Sequence, residues 1–195
     1  LKPNKYLISS RILYNIGNSI IFTSCLAIKK EFMLIKIKNK AYLTVDDFKF
    51  RCSIGKNNTK SKKKEGDNST PKGIFSIGKL YYRKDRVKKT ISKIKTRIIN
   101  KNMGWCDDPE NKSYNKEIKI PSKINHEKLF KKGNSYDYFI VINYNTQKIK
   151  PYKGSAIFLH LTKNYKPTAG CIAVKKKDFI IISKIIDGKT KIRIL

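Results

Sequence analysis

From residue 33 onward, apolar and polar positions alternate with a period of two, the pattern of strands that bury one face. Residues 33–37 (MLIKI), 41–45 and 48–53 follow it with short polar breaks, which predicts a small antiparallel meander. Residues 55–70 (GKNNTKSKKKEGDNST) are polar and read as a loop, with Lys60 and Lys62 to Lys64 forming a solvated face. Pro71-Lys72-Gly73 turns into a strand over 74–82. Residues 83–101 are basic and irregular, with a short strand at 94–99, and 125–132 reads as a short helix. Residues 138–144 (YFIVINY) carry the strongest strand pattern, followed by 155–161 (SAIFLHL) and a strand end at 170–174 (GCIAV). Apolar residues at 179, 182 and 186, joined by 181 and 185, have helical spacing over 177–186. Asp178 falls at the positive end of that helix, and Gly188 is placed to close it. A final strand covers 190–195. No internal repeat is visible. The fold class is mainly β, a sandwich or partly open barrel with one or two short helices.

A chain of 195 residues fits one domain and can build a core without disulfide or metal staples. Its 39% apolar residues, with 11 Tyr and 9 Phe, exclude a disordered chain. Forty-five Lys and Arg against 14 Asp and Glu give a net charge of +31, which favours polyanions such as nucleic acid, anionic lipid or an acidic cell-wall polymer. Lys, Ile, Asn and Tyr are over-used together while Ala is scarce, however, and an AT-rich coding sequence raises lysine in this way without any polyanion partner. The lysines are also scattered rather than stacked on one helix, which argues against a specific nucleic-acid partner and leaves an anionic wall polymer open.

Residues 19–28 (SIIFTSCLAI), preceded by Lys2, Lys5 and Arg11, resemble a weak signal-peptide core and are too short to span a bilayer. The alternative is a natural start at Met33, with 1–32 an N-terminal extension ahead of a domain over 33–195. Without those residues the balance is 40 against 13, or +27, so the charge argument stands either way. Cys25, Cys52, Cys106 and Cys171 form no C-x-x-C pair, and only His126 and His160 supply imidazoles, so no metal site is expected. His126 sits among Lys and Glu and reads as a surface residue.

The chemistry concentrates between Gly154 and Val174 (GSAIFLHLTKNYKPTAGCIAV). An apolar strand delivers His160 to a fixed place, and Cys171 follows eleven residues later behind Gly170, which permits a tight turn and close approach of a ligand. A thiol at its ordinary pKa is mostly protonated at neutral pH, and an adjacent imidazole can take that proton to give a strong nucleophile. The amides of Cys171 and Ile172, or of Gly170, are natural donors to the oxyanion that attack on an amide would create. Spacing alone leaves the alternatives of an inert buried cysteine and a satisfied core histidine.

Thr168-Ala169-Gly170-Cys171-Ile172 resembles the Ser/Thr-x-Gly-Cys core of the L,D-transpeptidase (YkuD-like) catalytic domain, and residues 154–160 resemble the family strand that ends in the essential His. Residues 64–73 (KEGDNSTPKG), 104–115 (GWCDDPENKSYN) and 136–145 (YDYFIVINYN) match the same group in the same order. The resemblance implies a β-rich domain without a cofactor, with Cys171 as nucleophile and His160 as general acid/base, acting on peptidoglycan stem peptides in the periplasm or cell envelope. Many members carry His or another polar residue where Ala169 stands and Arg or Asn where Ala173 stands, and the His-to-Cys interval is shorter here. A backbone carbonyl can then orient His160 in place of a third side chain. Thr168, Trp105, Asp107 and Asp108 are candidates for substrate contact, with core packing the alternative for Trp105 and turn-capping for the two aspartates. Glu65 and Asp67 read as turn residues. Cys52 and Cys106 lie in or beside matching blocks, which leaves a disulfide and two buried thiols both open. Competing functions are a non-catalytic basic module binding nucleic acid or wall polymer, an L,D-carboxypeptidase that uses water as acceptor, and a cysteine peptidase of another class.

Overall fold

The computed structural model describes residues 13–16, 19–22, 33–38, 42–61 and 63–195. The chain divides into two compact units, Leu1–Glu31 and Phe32–Leu195. In the first unit, β1 (Leu13–Ile16) and β2 (Ser19–Phe22) pair antiparallel with Ile16 opposite Ser19. Part of the signal-like run is therefore strand, and the rest of it, from residue 23 to 28, lies outside the described residues.

The second unit opens with the expected meander of β3 (Leu34–Lys38), β4 (Tyr42–Val45) and β5 (Phe48–Ser53). Period two is visible in the burial of Ile35, Ile37, Leu43 and Val45. The polar loop that follows contains a short parallel pair, β6 (Thr59–Lys60) and β7 (Thr70–Pro71). Next come the ten-residue β8 (Gly73–Tyr82), β9 (Thr96–Ile98), β10 (Met103–Cys106), β11 (Glu117–Lys119) and β12 (His126–Lys128). A 3-10 turn over Asn134–Tyr136 precedes β13 (Tyr138–Ile142), β14 (Phe158–Leu161), β15 (Ile172–Val174), helix α1 (Lys176–Ile185) and β16 (Lys191–Ile194).

Nine strands form one sheet in the order β13-β14-β15-β5-β4-β3-β16-β8-β9, and β13 also pairs with β8. That extra pairing closes the sheet on itself as a partly closed barrel, with β9 attached outside. β8 is the hub because its length lets it serve three partners: residues 73–76 pair with β16, residues 77–82 pair with β13, and residues 80–82 pair with β9. One apolar core contains Ile35, Leu43, Leu80, Ile140, Leu159, Ile172 and Ile192, together with Phe179 and Ile182 of α1. The other core lies against a three-stranded sheet, β11-β10-β12, and contains Met103, Trp105, Leu129, Tyr136, Phe139, Phe158 and Cys171. β13 and β14 thus bury both faces, each against a different core, which explains their nearly unbroken apolar sequences.

Two expectations fail for physical reasons. Residues 125–132 are not a helix: β12 occupies part of this segment and pairs with β10, while Leu129 and Phe130 are too few apolar residues to make a helical stripe. Gly188 does not cap α1. The helix ends in extended backbone at Ile186, and Asp187 closes the following turn by accepting from the amides of Lys189 and Thr190.

Leu80 is fully buried on β8, whereas Ile74 on the same strand is 51% exposed. Leu80→Ala should therefore cost about 2–5 kcal/mol in a denaturant or thermal melt, while Ile74→Ala should stay within about 0.5 kcal/mol of the parent.

Candidate active site

β14 and β15 run parallel, with Leu159 level with Ile172 and His160 level with Ala173. Paired residues point to the same side of a sheet, so His160 and Cys171, two residues before Ala173, project from one face. Strand spacing puts their Cα atoms roughly 8 Å apart, within reach of both side chains. Both line a cleft of about 1020 Å³, with Lys63, Glu127, Tyr136 and Thr168 among its other walls.

The backbone before Cys171 is held from three directions. Gly170 has φ +141°, and a Cβ there would lie 2.9 Å from the Ser69 carbonyl oxygen, so glycine is required. The Thr70 hydroxyl donates to the Gly170 carbonyl (2.8 Å), and the Thr168 hydroxyl donates to the Cys171 carbonyl (2.6 Å). Thr168 is itself anchored to the loop after β5, its amide donating to Ile54 and its carbonyl accepting from Lys56. From the cleft wall it thus braces the turn before Cys171.

The Gly170 amide already donates to the Thr168 hydroxyl (3.1 Å), and Ile172 is fully buried within the ladder. The Cys171 amide, by contrast, has no acceptor among the described residues. The Cys171 sulfur accepts from the Phe158 amide (3.3 Å) and donates to the Ala156 carbonyl (3.2 Å). Burial pushes the thiol up to about 12, with the Glu127 carboxylate adding to the rise and the Phe158 amide, Lys131 and Lys63 opposing it. The thiol therefore rests protonated.

His160 Nδ1 lies 2.9 Å from the Leu161 carbonyl oxygen. A carbonyl only accepts, so Nδ1 carries the proton and Nε2 is left as the basic nitrogen. The sequence left open whether a backbone carbonyl could orient this ring, and the structure shows one doing so. Burial lowers the imidazole pKa, partly offset by the Leu161 carbonyl and Glu127.

The sequence matches the YkuD L,D-transpeptidase catalytic domain over residues 27–194. The chain belongs to this family. L,D-transpeptidase-type domains act on peptidoglycan and are typical of the cell envelope, and no helix among the described residues is long and apolar enough to cross a membrane. No curated protein sequence matches the chain. A solved structure titled "Structure of Bdellovibrio bacteriovorus Bd1075" aligns with a TM-score of 0.44 and 16% identity, covering 84% of this chain and 47% of that one. The present chain thus spans about half the length of that protein.

Other candidates in this L,D-transpeptidase domain fall in different places. Trp105 does not line the cleft: it packs edge-on against Phe158 at 5.1 Å and donates to Asn115 Oδ1 (3.0 Å). Asp107 does line it, and burial raises its carboxyl, helped by Glu65 and Glu127. Asp108 caps a turn through the Glu110 amide (3.1 Å). Glu65 lines the cleft and accepts from the Tyr114 hydroxyl. His126 is half-buried, with Nδ1 2.6 Å from the Ile124 carbonyl and its ring against Gly104, so it is only partly exposed. Cys52 and Cys106 are buried free thiols.

The sequence reading missed four residues. Asn115, buried with φ +56°, accepts from Trp105 and the Ala156 amide and donates to the carbonyls of Tyr144 and Asn145, fixing the segment that leads to β14. Its only signal was its place in a matching block. Glu127, Lys131 and Tyr136 were not singled out either, although Tyr136 opens the matching block over 136–145.

Lys63, expected in a solvated face, is 4% exposed. Its ammonium donates to Asp67 Oδ1 (2.6 Å) and to the Ser69 carbonyl (2.7 Å), and its stem passes Gly154, where a Cβ would lie 2.6 Å from Lys63 Cε. Burial raises the Asp67 carboxyl, but Lys63 and the amides of Lys64 and Ser69 hold it below its ordinary 3.8 overall. The depressed folded value means that the stabilisation is present above 3.8 and is lost as pH falls through the folded value. Asp67→Asn leaves a buried cation unpaired and should cost about 3–5 kcal/mol in a denaturant melt at neutral pH, with a much smaller difference from the parent in acid.

Proposed function

We propose that this domain catalyses cysteine acyl transfer on peptidoglycan stem peptides, with Cys171 as nucleophile and His160 as general acid/base. The observation that carries the proposal is the shared sheet face: thiol and imidazole enter one cleft, and the basic nitrogen of the ring is the one left unbonded. In the first step, the Cys171 sulfur attacks the carbonyl of the diamino acid at stem position three while its proton passes to His160 Nε2. The Cys171 amide, which has no acceptor among the described residues, supports the oxyanion. Collapse expels the terminal D-alanine, whose amine takes the proton from the imidazolium, and a thioester remains on Cys171. In the second step, His160 removes a proton from the side-chain amine of an acceptor stem, which attacks the thioester, forms the cross-link and frees the thiol. Water in place of the amine gives a carboxypeptidase. In this reading Asp107, which lines the cleft, meets a cationic amine of the substrate.

A carbapenem, which acylates such a thiol, should add its mass to the protein at Cys171, and the adduct should vanish in Cys171→Ala. An adduct that persists in that variant removes the assignment of the nucleophile. His160→Gln should slow acylation by about 10²–10⁴-fold. Because burial lowers His160 below its ordinary 6.5, the base form prevails at neutral pH. The acylation rate should therefore fall only as pH drops through that lowered value, giving an acid limb below 6.5 in a stopped-flow pH profile.

A further inference from the structure

The mechanism above uses none of Glu127, Lys131 and Tyr136, yet all three line the cleft. Tyr136 stands at the end of the 3-10 turn and is 4% exposed. Its ring meets the His160 ring edge-on at 5.4 Å and rests on Phe139 (5.2 Å) and Phe158 (5.9 Å). Its hydroxyl donates to Glu127 Oε1 at 2.8 Å. The Lys131 ammonium pairs with the same carboxylate oxygen and sits 4.0 Å above the centre of the Tyr136 ring. One cation thus holds the carboxylate and the aromatic ring together.

A phenol has a single proton. Here it is spent on Glu127, so the hydroxyl can offer only lone pairs to the neighbouring Cys171 thiol. We propose that Tyr136, locked by the Glu127–Lys131 pair, is a positioning residue for both reacting side chains: its ring fixes His160, and its hydroxyl proton is kept turned away from the Cys171 sulfur. The proposal rests on the reading of Cys171 and His160 as the reacting pair. Its consequence is a nucleophile that keeps its proton until His160 removes it, because a thiolate would face lone pairs backed by a carboxylate.

The charged groups bearing on Cys171 are Glu127, which resists ionisation, and Lys131 and Lys63, which favour it; the Phe158 amide also favours it. At His160 the same pair acts with reversed effect on the ring charge: Glu127 favours the imidazolium and Lys131 opposes it. Burial and the neighbouring Cys171 and Glu127 keep the Tyr136 phenol itself protonated throughout the working range.

The test is the rate of Cys171 alkylation by iodoacetamide in the full chain, resolved by peptide mass spectrometry at about pH 8, where the rate follows the thiolate fraction. Glu127→Gln should speed alkylation about tenfold, the equivalent of about one pH unit. Lys131→Met should slow it by a similar factor. Tyr136→Phe keeps the ring and should speed alkylation by less than Glu127→Gln does, since the carboxylate remains. Opposite signs for Glu127→Gln and Lys131→Met set this apart from a structural role, because mere loosening of the cleft speeds both. Rates within about twofold of the parent in both variants, or acceleration in both, overturn the proposal. A thermal melt of each variant confirms that a folded protein is being read. Stem-peptide transfer that survives Cys171→Ala would instead overturn the catalytic reading, and the alkylation rates separate these two failures.

Discussion

The parallel pairing of β14 with β15 is the constraint on which the site depends. With His160 level with Ala173, the sulfur-bearing residue lies two positions back on the same sheet face. A slip of one residue would send either the imidazole or the thiol to the opposite face, among Leu159, Ile172 and Val174. The register is fixed at both ends. The Thr162 amide donates to the Val174 carbonyl at 2.8 Å beyond the ladder, and the Phe158 amide donates to the Cys171 sulfur at 3.3 Å before it. The neighbouring β5 braces the other side of β15, with Ser53 opposite Ala173. The placement of thiol and imidazole on one face is thus set by sheet hydrogen bonding, with the turn through Thr168 and Gly170 braced on the loop after β5.

Two cores make such a location available. The first buries Leu159, Leu161 and Ile172, and the second takes Phe158 and Cys171 from the opposite face of the same strands. The small sheet built on β10 covers the Phe158 side through Trp105, and the cleft opens at His160 and Cys171. A thiol at this boundary gains tight packing from the core and access to substrate from the cleft. Its protonated resting state follows from the same position, since burial is the largest cause of its raised pKa. The surroundings do not ionise the thiol by themselves.

Most strands were legible in the sequence because period-two burial is a local signal: β5 has the expected bounds, and β3, β4, β8 and β16 differ by a residue or so. The segment around His126 was misread because its structure comes from pairing with β10, a partner some twenty residues away that leaves no periodic trace. Cys171 and His160 stood out through glycine placement and family resemblance. Lys63 did not, since a lysine among lysines carries no mark of burial; what buries it is Asp67 four residues on and two glycines distant in sequence. Tyr136 and Glu127 were hidden for the same reason, as their meaning lies in which side chains they meet across the fold.

The position of β16 bears on how the protein is made. Residues 191–194 are inserted between β3 and β8, pairing with residues 34–37 on one side and 73–76 on the other. Some 150 residues of chain separate the partners on the β3 side, and all of them must emerge from the ribosome before that seam can be zipped. Until β16 is made, the edges of β3 and β8 that it covers lack their partner. The barrel therefore cannot close until the chain has been made through residue 194.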